Sequence, residues 1–235
     1  MTIAKPRIVA LLPMKANSER VKGKNFRNFC GKPLFRWILD TLLQVGEIDQ
    51  VIINTDARHI LAQNGLTDTD RVKIRDRKPE ICGDLVSMNL VLADDVANVK
   101  ADIYLMTHTT NPLISADTIH GALEAFQAAR AEGKADSLFT VDKVQTRFYR
   151  ADGSAVNHDP DNLIPTQQLE PWFEENSNLY IFTQDSFAKT KARIGKQPMM
   201  FEGPSFESID IDTPQDWDFA VVAARFLQEQ METTS

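Results

Sequence analysis

"RIVALLPMKANSERVKGKN", Arg7 to Asn25, is the stretch on which the reading of the fold turns. It opens with an unbroken apolar run, Ile8 to Leu12, and stops at Pro13. A loop carrying Lys15, Arg20, Lys22 and Lys24 follows. An apolar run of this length, without polar alternation, marks a strand buried on both faces, as in helix-covered parallel sheets. Ligands of such sheets sit beyond the carboxyl ends of the strands. A basic loop leaving the first strand there suits a polyphosphate, whose oxygens accept hydrogen bonds from ammonium groups and backbone N–H groups. The loop is neither a P-loop nor a dinucleotide fingerprint, because G-x-x-x-x-G-K-[ST] and G-x-G-x-x-G are both absent.

Outward from this stretch, strand and helix patterns alternate. "PLFRWILDTLLQVG" (33–46) reads as an amphipathic helix, "DQVIINTD" (49–56) as a strand, and "ARHILAQNG" (57–65) as a short helix stopped at Gly65. "RVKIRDR" (71–77), "DIYLMTH" (102–108) and "DSLFTVDKV" (136–144) read as strands. Between them "SMNLVLADDVANV" (87–99) and "SADTIHGALEAFQAAR" (115–130) read as helices. The alternation predicts βαβ units and a mostly parallel sheet in a single domain spanning residues 1–235. Residues 144–177, rich in turn formers, predict an excursion from that sheet. "NLYIF" (178–182) resumes it, and "SFESIDIDTPQDW" (205–217) predicts a short strand and turn before a closing helix.

The chain has 235 residues, a formal net charge of -7 and 43% hydrophobic residues, the balance of a globular protein with an ample core. An acidic chain speaks against a nucleic-acid footprint spread over the surface, so the basic loop stands out locally. No apolar stretch approaches the length of a membrane span, and the first strand lacks a cleavage site, so a cytoplasmic protein is expected. The two cysteines, Cys30 and Cys82, have no metal-ligand spacing.

Near the other end, Asp210 and Asp212 stand two residues apart. On a strand they would face one side, where two carboxylates repel unless a cation lies between them. Oxygen ligands of this kind suit Mg²⁺, which shares its remaining positions with water and substrate phosphates. The alternative is structural, with Asp212 capping the helix that begins at Thr213-Pro214.

Taken in order, these elements resemble the nucleotide-sugar cytidylyltransferases that make CMP-activated acidic sugars. The resemblance is above all to the acylneuraminate cytidylyltransferases, with the CMP-Kdo synthetases more distant. It is carried by "MKANSERVKGKN" (14–25), "INTD" (53–56), "RKPEICGDLVSM" (77–88), "HTTNPLI" (108–114), "EENSNLYIF" (174–182) and "SIDIDTPQDW" (208–217). It implies a three-layer, Rossmann-like α/β nucleotidyltransferase fold, a homodimer, and residues 144–177 as the dimerisation arm. The implied substrates are CTP and an acidic keto-sugar, the implied cofactor Mg²⁺. Lys24, Arg20 and Asp212 take catalytic positions. Lys15, Asn17, Ser18, Asn25, Arg77 and Ser87 take nucleotide-binding positions, and Asp210 with Asp212 the metal positions. His108, Asn176 and Arg150 are placed toward the acceptor, Arg150 with Arg147 as a source of positive charge from the arm. Departures from the family pattern fall in three places: Lys15 stands at the loop arginine, Met88 replaces a serine near the base and ribose, and on the acceptor side Thr166 and Glu174 stand where arginine is usual. A different acceptor, Kdo-like or a phosphonate, and a nucleotide-binding module without turnover are the alternatives. A phosphosugar phosphatase would need its aspartyl nucleophile early in the chain.

Overall fold

A computed structural model describes residues 5–234. Strand β1 (Ile8–Leu11) is followed by a small hairpin, β2 (Asn28–Phe29) and β3 (Lys32–Pro33), and then helix α1 (Leu34–Gln44). Next come β4 (Gln50–Thr55), α2 (Arg58–Gln63), β5 (Val72–Asp76), α3 (Met88–Asn98) and β6 (Ile103–Thr107). The chain continues through α4 (Ala116–Ala131), β7 (Ser137–Val144), β8 (Trp172–Thr183), α5 (Gln184–Thr190), β9 (Pro198–Glu202) and α6 (Pro214–Thr234).

Seven strands form one sheet in the order β5-β4-β1-β6-β8-β7-β9. All neighbours run parallel except β8, which is antiparallel to both β6 and β7. The fold is therefore the mostly parallel α/β sheet that the alternation predicts. Side chains of β1 alternate between two cores, as the two-residue period of a strand requires. Ile8, Ala10 and Leu12 pack with Phe35, Ile38 and Phe126 of α1 and α4. Val9 and Leu11 pack with Leu92 of α3 and Phe187 of α5.

A third cluster seats the C-terminal helix. Phe29 stands edge-on to both Trp37 and Trp217, with centroids 5.4 and 5.3 Å away. Val21 of the basic loop and Ile211 of the acidic segment share this cluster with Trp217, Ala220 and Ala224. Apolar packing thus brings the loop near the amino end of the chain against the segment near its carboxyl end.

Three expectations are corrected. Residues 208–212 form no strand; they run as an irregular segment, and the strand beside β7 is β9, whose register pairs Ser137 with Pro198. Asp212 does not cap α6. Thr213 does: its Oγ1 accepts from Asp216 N (3.2 Å), while Asp216 Oδ2 accepts from Thr213 N (2.7 Å), with Pro214 opening the helix. The excursion is also shorter than predicted, because β8 already begins at Trp172 and pairs it with Val144. Helix α5 has its own capping box at Thr183 and Ser186, a signal the apolar pattern does not carry.

Because Thr213 closes the first turn of α6, Thr213→Ala removes an acceptor for an end N–H. Urea unfolding should show a loss of about 1 kcal/mol, and a loss under about 0.3 kcal/mol would contradict the capping role.

Candidate active site

Beyond the carboxyl ends of β1, β4 and β6 lies a cleft of about 630 Å³. It opens where β1 has β4 on one side and β6 on the other, the place where the strand order reverses. The basic loop crosses it and is fixed at several points. Met14 N donates to Asn54 O (3.1 Å), Ala16 N to Asp56 Oδ1 (2.7 Å), and Asn25 Nδ2 to Lys15 O (2.8 Å). Thr109 Oγ1 at the end of β6 donates to Asn25 Oδ1 (2.6 Å). Gly23 adopts φ 62°, a left-handed conformation natural to glycine, and the chain then tightens into a 3₁₀ turn at Lys24–Phe26.

That turn directs Lys24 inward. Its side chain is 8% exposed, and Nζ donates to Ile211 O (2.5 Å) and lies 3.6 Å from Asp212 Oδ1. Burial is the main force lowering its pKa; Asp212 and Asp210 oppose it by favouring the charged form. Arg20 Nη2 reaches the same Asp212 oxygen at 2.9 Å. Asp210 sits deeper. Burial raises its pKa, with the neighbouring Asp212 charge adding to the rise and a hydrogen bond from Thr110 opposing it. Its Oδ1 is buried with no hydrogen-bond partner. The two carboxylates meet at the cleft without a strand to align them, because the Ile211 side chain between them is anchored in the third cluster and Ile211 N donates to Thr110 O (2.8 Å).

Lys15, Asn17, Ser18, Arg20, Lys24, Asn25, Arg77, His108, Asp210 and Asp212, all predicted for the site, line this one cleft. Lys15 is paired with Asp84, a partner the sequence pattern did not single out. Arg77 is only 8% exposed and is held by Asn54 Oδ1 (3.0 Å), Asn54 O (2.8 Å) and Met14 O (3.2 Å). His108 has its pKa pushed down to about 4, first by burial and then by Arg193 and Lys24, so at neutral pH it is an uncharged hydrogen-bonding group.

Ser87, Asn176 and Arg150 lie outside the cleft lining. Ser87 stands at the start of α3, between the cleft residues Val86 and Met88. Asn176 shapes a bulge in β8: its Oδ1 accepts from Thr140 Oγ1 (2.7 Å) and Asn178 N (3.2 Å) where the β7–β8 register shifts. The bulge turns Ser177 (φ 56°) into the cleft instead. Arg150 closes a turn in the arm, its N donating to Ser154 O (2.8 Å), and Arg147 Nη2 donates to Ile164 O (2.6 Å). One cation near the cleft was missed. Arg193, just after α5, lies over the Tyr180 ring at 3.9 Å and donates to its hydroxyl (3.0 Å), while that hydroxyl also bonds Ser177 Oγ (3.3 Å). An irregular segment with no periodicity gave no signal for it.

Comparison with known proteins fits this geometry. A CMP-N,N'-diacetyllegionaminic acid synthase from Legionella pneumophila is 26% identical over 221 residues, covering 90% of this chain and 93% of that protein. A pseudaminic acid cytidylyltransferase from Campylobacter jejuni is 22% identical over 225 residues, covering 91% of this chain and 94% of that protein. Among solved structures, CMP:2-keto-3-deoxy-manno-octonic acid synthetase complexed with CTP shares the fold at a TM-score of 0.63 and 17% identity, with 95% of this chain and 99% of that one covered. Residues 9–230 match the family described as Cytidylyltransferase, and the chain belongs to that family.

Proposed function

We propose that the protein transfers CMP from CTP to a hydroxyl of an acidic, nonulosonate-type keto-sugar and releases pyrophosphate. The observation that carries this is the buried Lys24 ammonium, held 2.5 Å from Ile211 O beside Asp212 and Arg20 at the head of the cleft. The acceptor class rests on the full-length likeness to relatives named for legionaminic and pseudaminic acids.

In the reaction, the sugar oxygen forms a bond to the α-phosphorus as the bond from that phosphorus to the bridging oxygen of pyrophosphate breaks. The hydroxyl proton passes to water. Negative charge grows on the leaving oxygens, and cations already fixed in place stabilise it without reorganising. Lys24 and Arg20 are placed for that role, and Asn17, Ser18 and Lys15 for holding the phosphates along the loop. Asp210 and Asp212 fit a magnesium ion: hard oxygen donors, one of them a buried Oδ1 without a partner in the protein. Among the described residues no third His, Cys, Asp or Glu joins them, which suits an ion whose other positions go to water and phosphate. Such an ion would supply charge neutralisation to the triphosphate.

The arm presents Tyr149 and Leu163 to solvent, and the adjoining start of β8 presents Trp172 and Phe173, which supports the reading of a homodimer built on this face. Among the described residues, no helix is long and apolar enough to cross a membrane.

Pyrophosphate release requiring CTP and acceptor together tests the activity. Lys24→Ala should lower kcat by roughly 10²-fold or more, and a near-wild-type kcat would remove Lys24 from the mechanism. Asp210→Asn and Asp212→Asn should each abolish magnesium-dependent turnover with the circular dichroism spectrum unchanged, since asparagine keeps the shape and removes the charge. Activity retained in both, with the same magnesium requirement, would make the carboxylates structural.

On the acceptor side, Arg150→Ala should raise the acceptor KM and leave the KM for CTP unchanged. If neither it nor Arg147→Ala does so while Arg193→Ala does, the positive charge comes from beside Tyr180 and not from the arm.

A further inference from the structure

Asp95, on α3, is fully buried and plays no part in the chemistry described above. Its Oδ1 accepts from Asn54 Nδ2 (2.8 Å) and from Arg75 Nη1 (2.9 Å), while its Oδ2 is buried without a partner. Asn54, also fully buried, ends the apolar part of β4. Its Oδ1 and backbone oxygen hold Nε and Nη2 of Arg77, a residue that lines the cleft and whose Nη2 also bonds Met14 O (3.2 Å). A continuous chain of hydrogen bonds therefore runs from the interior face of α3, through β4, to a cation on the cleft wall.

The chemistry of each link explains the choice of residue. An asparagine amide has two ends of nearly the same shape, one donating and one accepting. If the Asn54 amide were reversed, its NH₂ would face Arg77 Nε–H, two donors against each other. Arg77 thereby selects the orientation from one side, and an ionised carboxylate at 95, which accepts and cannot donate, holds the same orientation from the other. A leucine at 95 would fill the core but leave the Asn54 NH₂ without its acceptor, so the amide would be held from one side only.

The surrounding charges keep the carboxylate ionised against the cost of burial. Arg75 bonds Asp95 and also holds Asp94 Oδ2 (2.7 Å), whose other oxygen pairs with Lys78 (2.6 Å). Burial nevertheless raises the Asp95 pKa to about 6, opposed by Asn54, Arg75 and Arg77 and assisted by Asp94. A buried carboxylate with an orphaned oxygen is a destabilising choice unless its position serves something else.

We propose that Asp95 is a positioning residue for nucleotide binding: acting through the Asn54 amide, it sets the direction of the Arg77 guanidinium in the cleft. The proposal rests on the cytidylyltransferase reading of that cleft.

The test is steady-state kinetics on the full chain with three proteins: wild type, Asp95→Asn and Asp95→Leu. Asp95→Leu takes the acceptor from Asn54 Nδ2, so the KM for CTP should rise about tenfold, with the acceptor KM unchanged and kcat within about threefold. Asp95→Asn keeps an amide oxygen toward both Asn54 Nδ2 and Arg75 Nη1 and should hold the CTP KM within about threefold of wild type. A folded Asp95→Leu variant with an unchanged CTP KM overturns the assignment. So does one in which both KM values move together, or a folded Asp95→Asn variant whose CTP KM rises as far as that of Asp95→Leu. If the leucine variant does not fold, Asp95 serves folding and the positioning role falls. Wild-type protein that shows no CTP-dependent pyrophosphate release defeats the underlying reading instead, a result separate from each of these.

Discussion

The structure depends on the burial of one ammonium group. Lys24 lies 187 positions along the chain from the carbonyl of Ile211 that it bonds. A charge removed from water must find hydrogen-bond acceptors and a counter-charge, or the folded state bears the full desolvation cost. Both come from a single irregular segment, Ile211 and Asp212, so that segment has to arrive at a defined place. Apolar packing delivers it: Phe29, Trp217 and Ile211 form one cluster with Val21 from the basic loop. The site is assembled by a core that joins the two ends of the chain.

Each cation at the head of the cleft has a carboxylate from the protein, Arg20 and Lys24 on Asp212 and Lys15 on Asp84. Arg20 and Asp212 are substantially exposed, so their pairing is weak and easily exchanged. A triphosphate would compete for the same cations and bring more negative charge than one carboxylate. The fold keeps the positive charges apart and oriented, which is the preorganisation that electrostatic catalysis requires.

Much of this was legible in the sequence, for identifiable reasons. The run Ile8 to Leu12 and the apolar faces of α1 and α4 carry a clear period, so the parallel sheet and its layers followed. The basic loop was recognisable because it leaves a buried strand, and ten of the predicted site residues line the cleft it crosses. Failures came where long-range pairing overrides local pattern. The polar residues of "PWFEENS" are exposed or half-buried along β8 and show no clean alternation, so the early start of that strand was missed. "SIDID" alternates like a strand, yet no neighbour pairs with it; Thr110 and Lys24 take its backbone groups instead. Asn176 carries the signature of a contact residue, whereas the bulge it stabilises puts Ser177 in the cleft. The Asp95–Asn54–Arg77 chain joins three separate elements, and no local window could contain it.

The central claim, that the loop cations and the acidic segment form a polyphosphate site, is tested most directly by calorimetric titration with CTP, CDP and CMP at fixed magnesium and ionic strength. The account predicts that affinity falls by about 10² or more from CTP to CMP, a difference of about 2.7 kcal/mol, because only the longer chain reaches Arg20 and Lys24. CMP binding as tightly as CTP would contradict it, since the nucleotide would then be held without the cations around which the fold is organised.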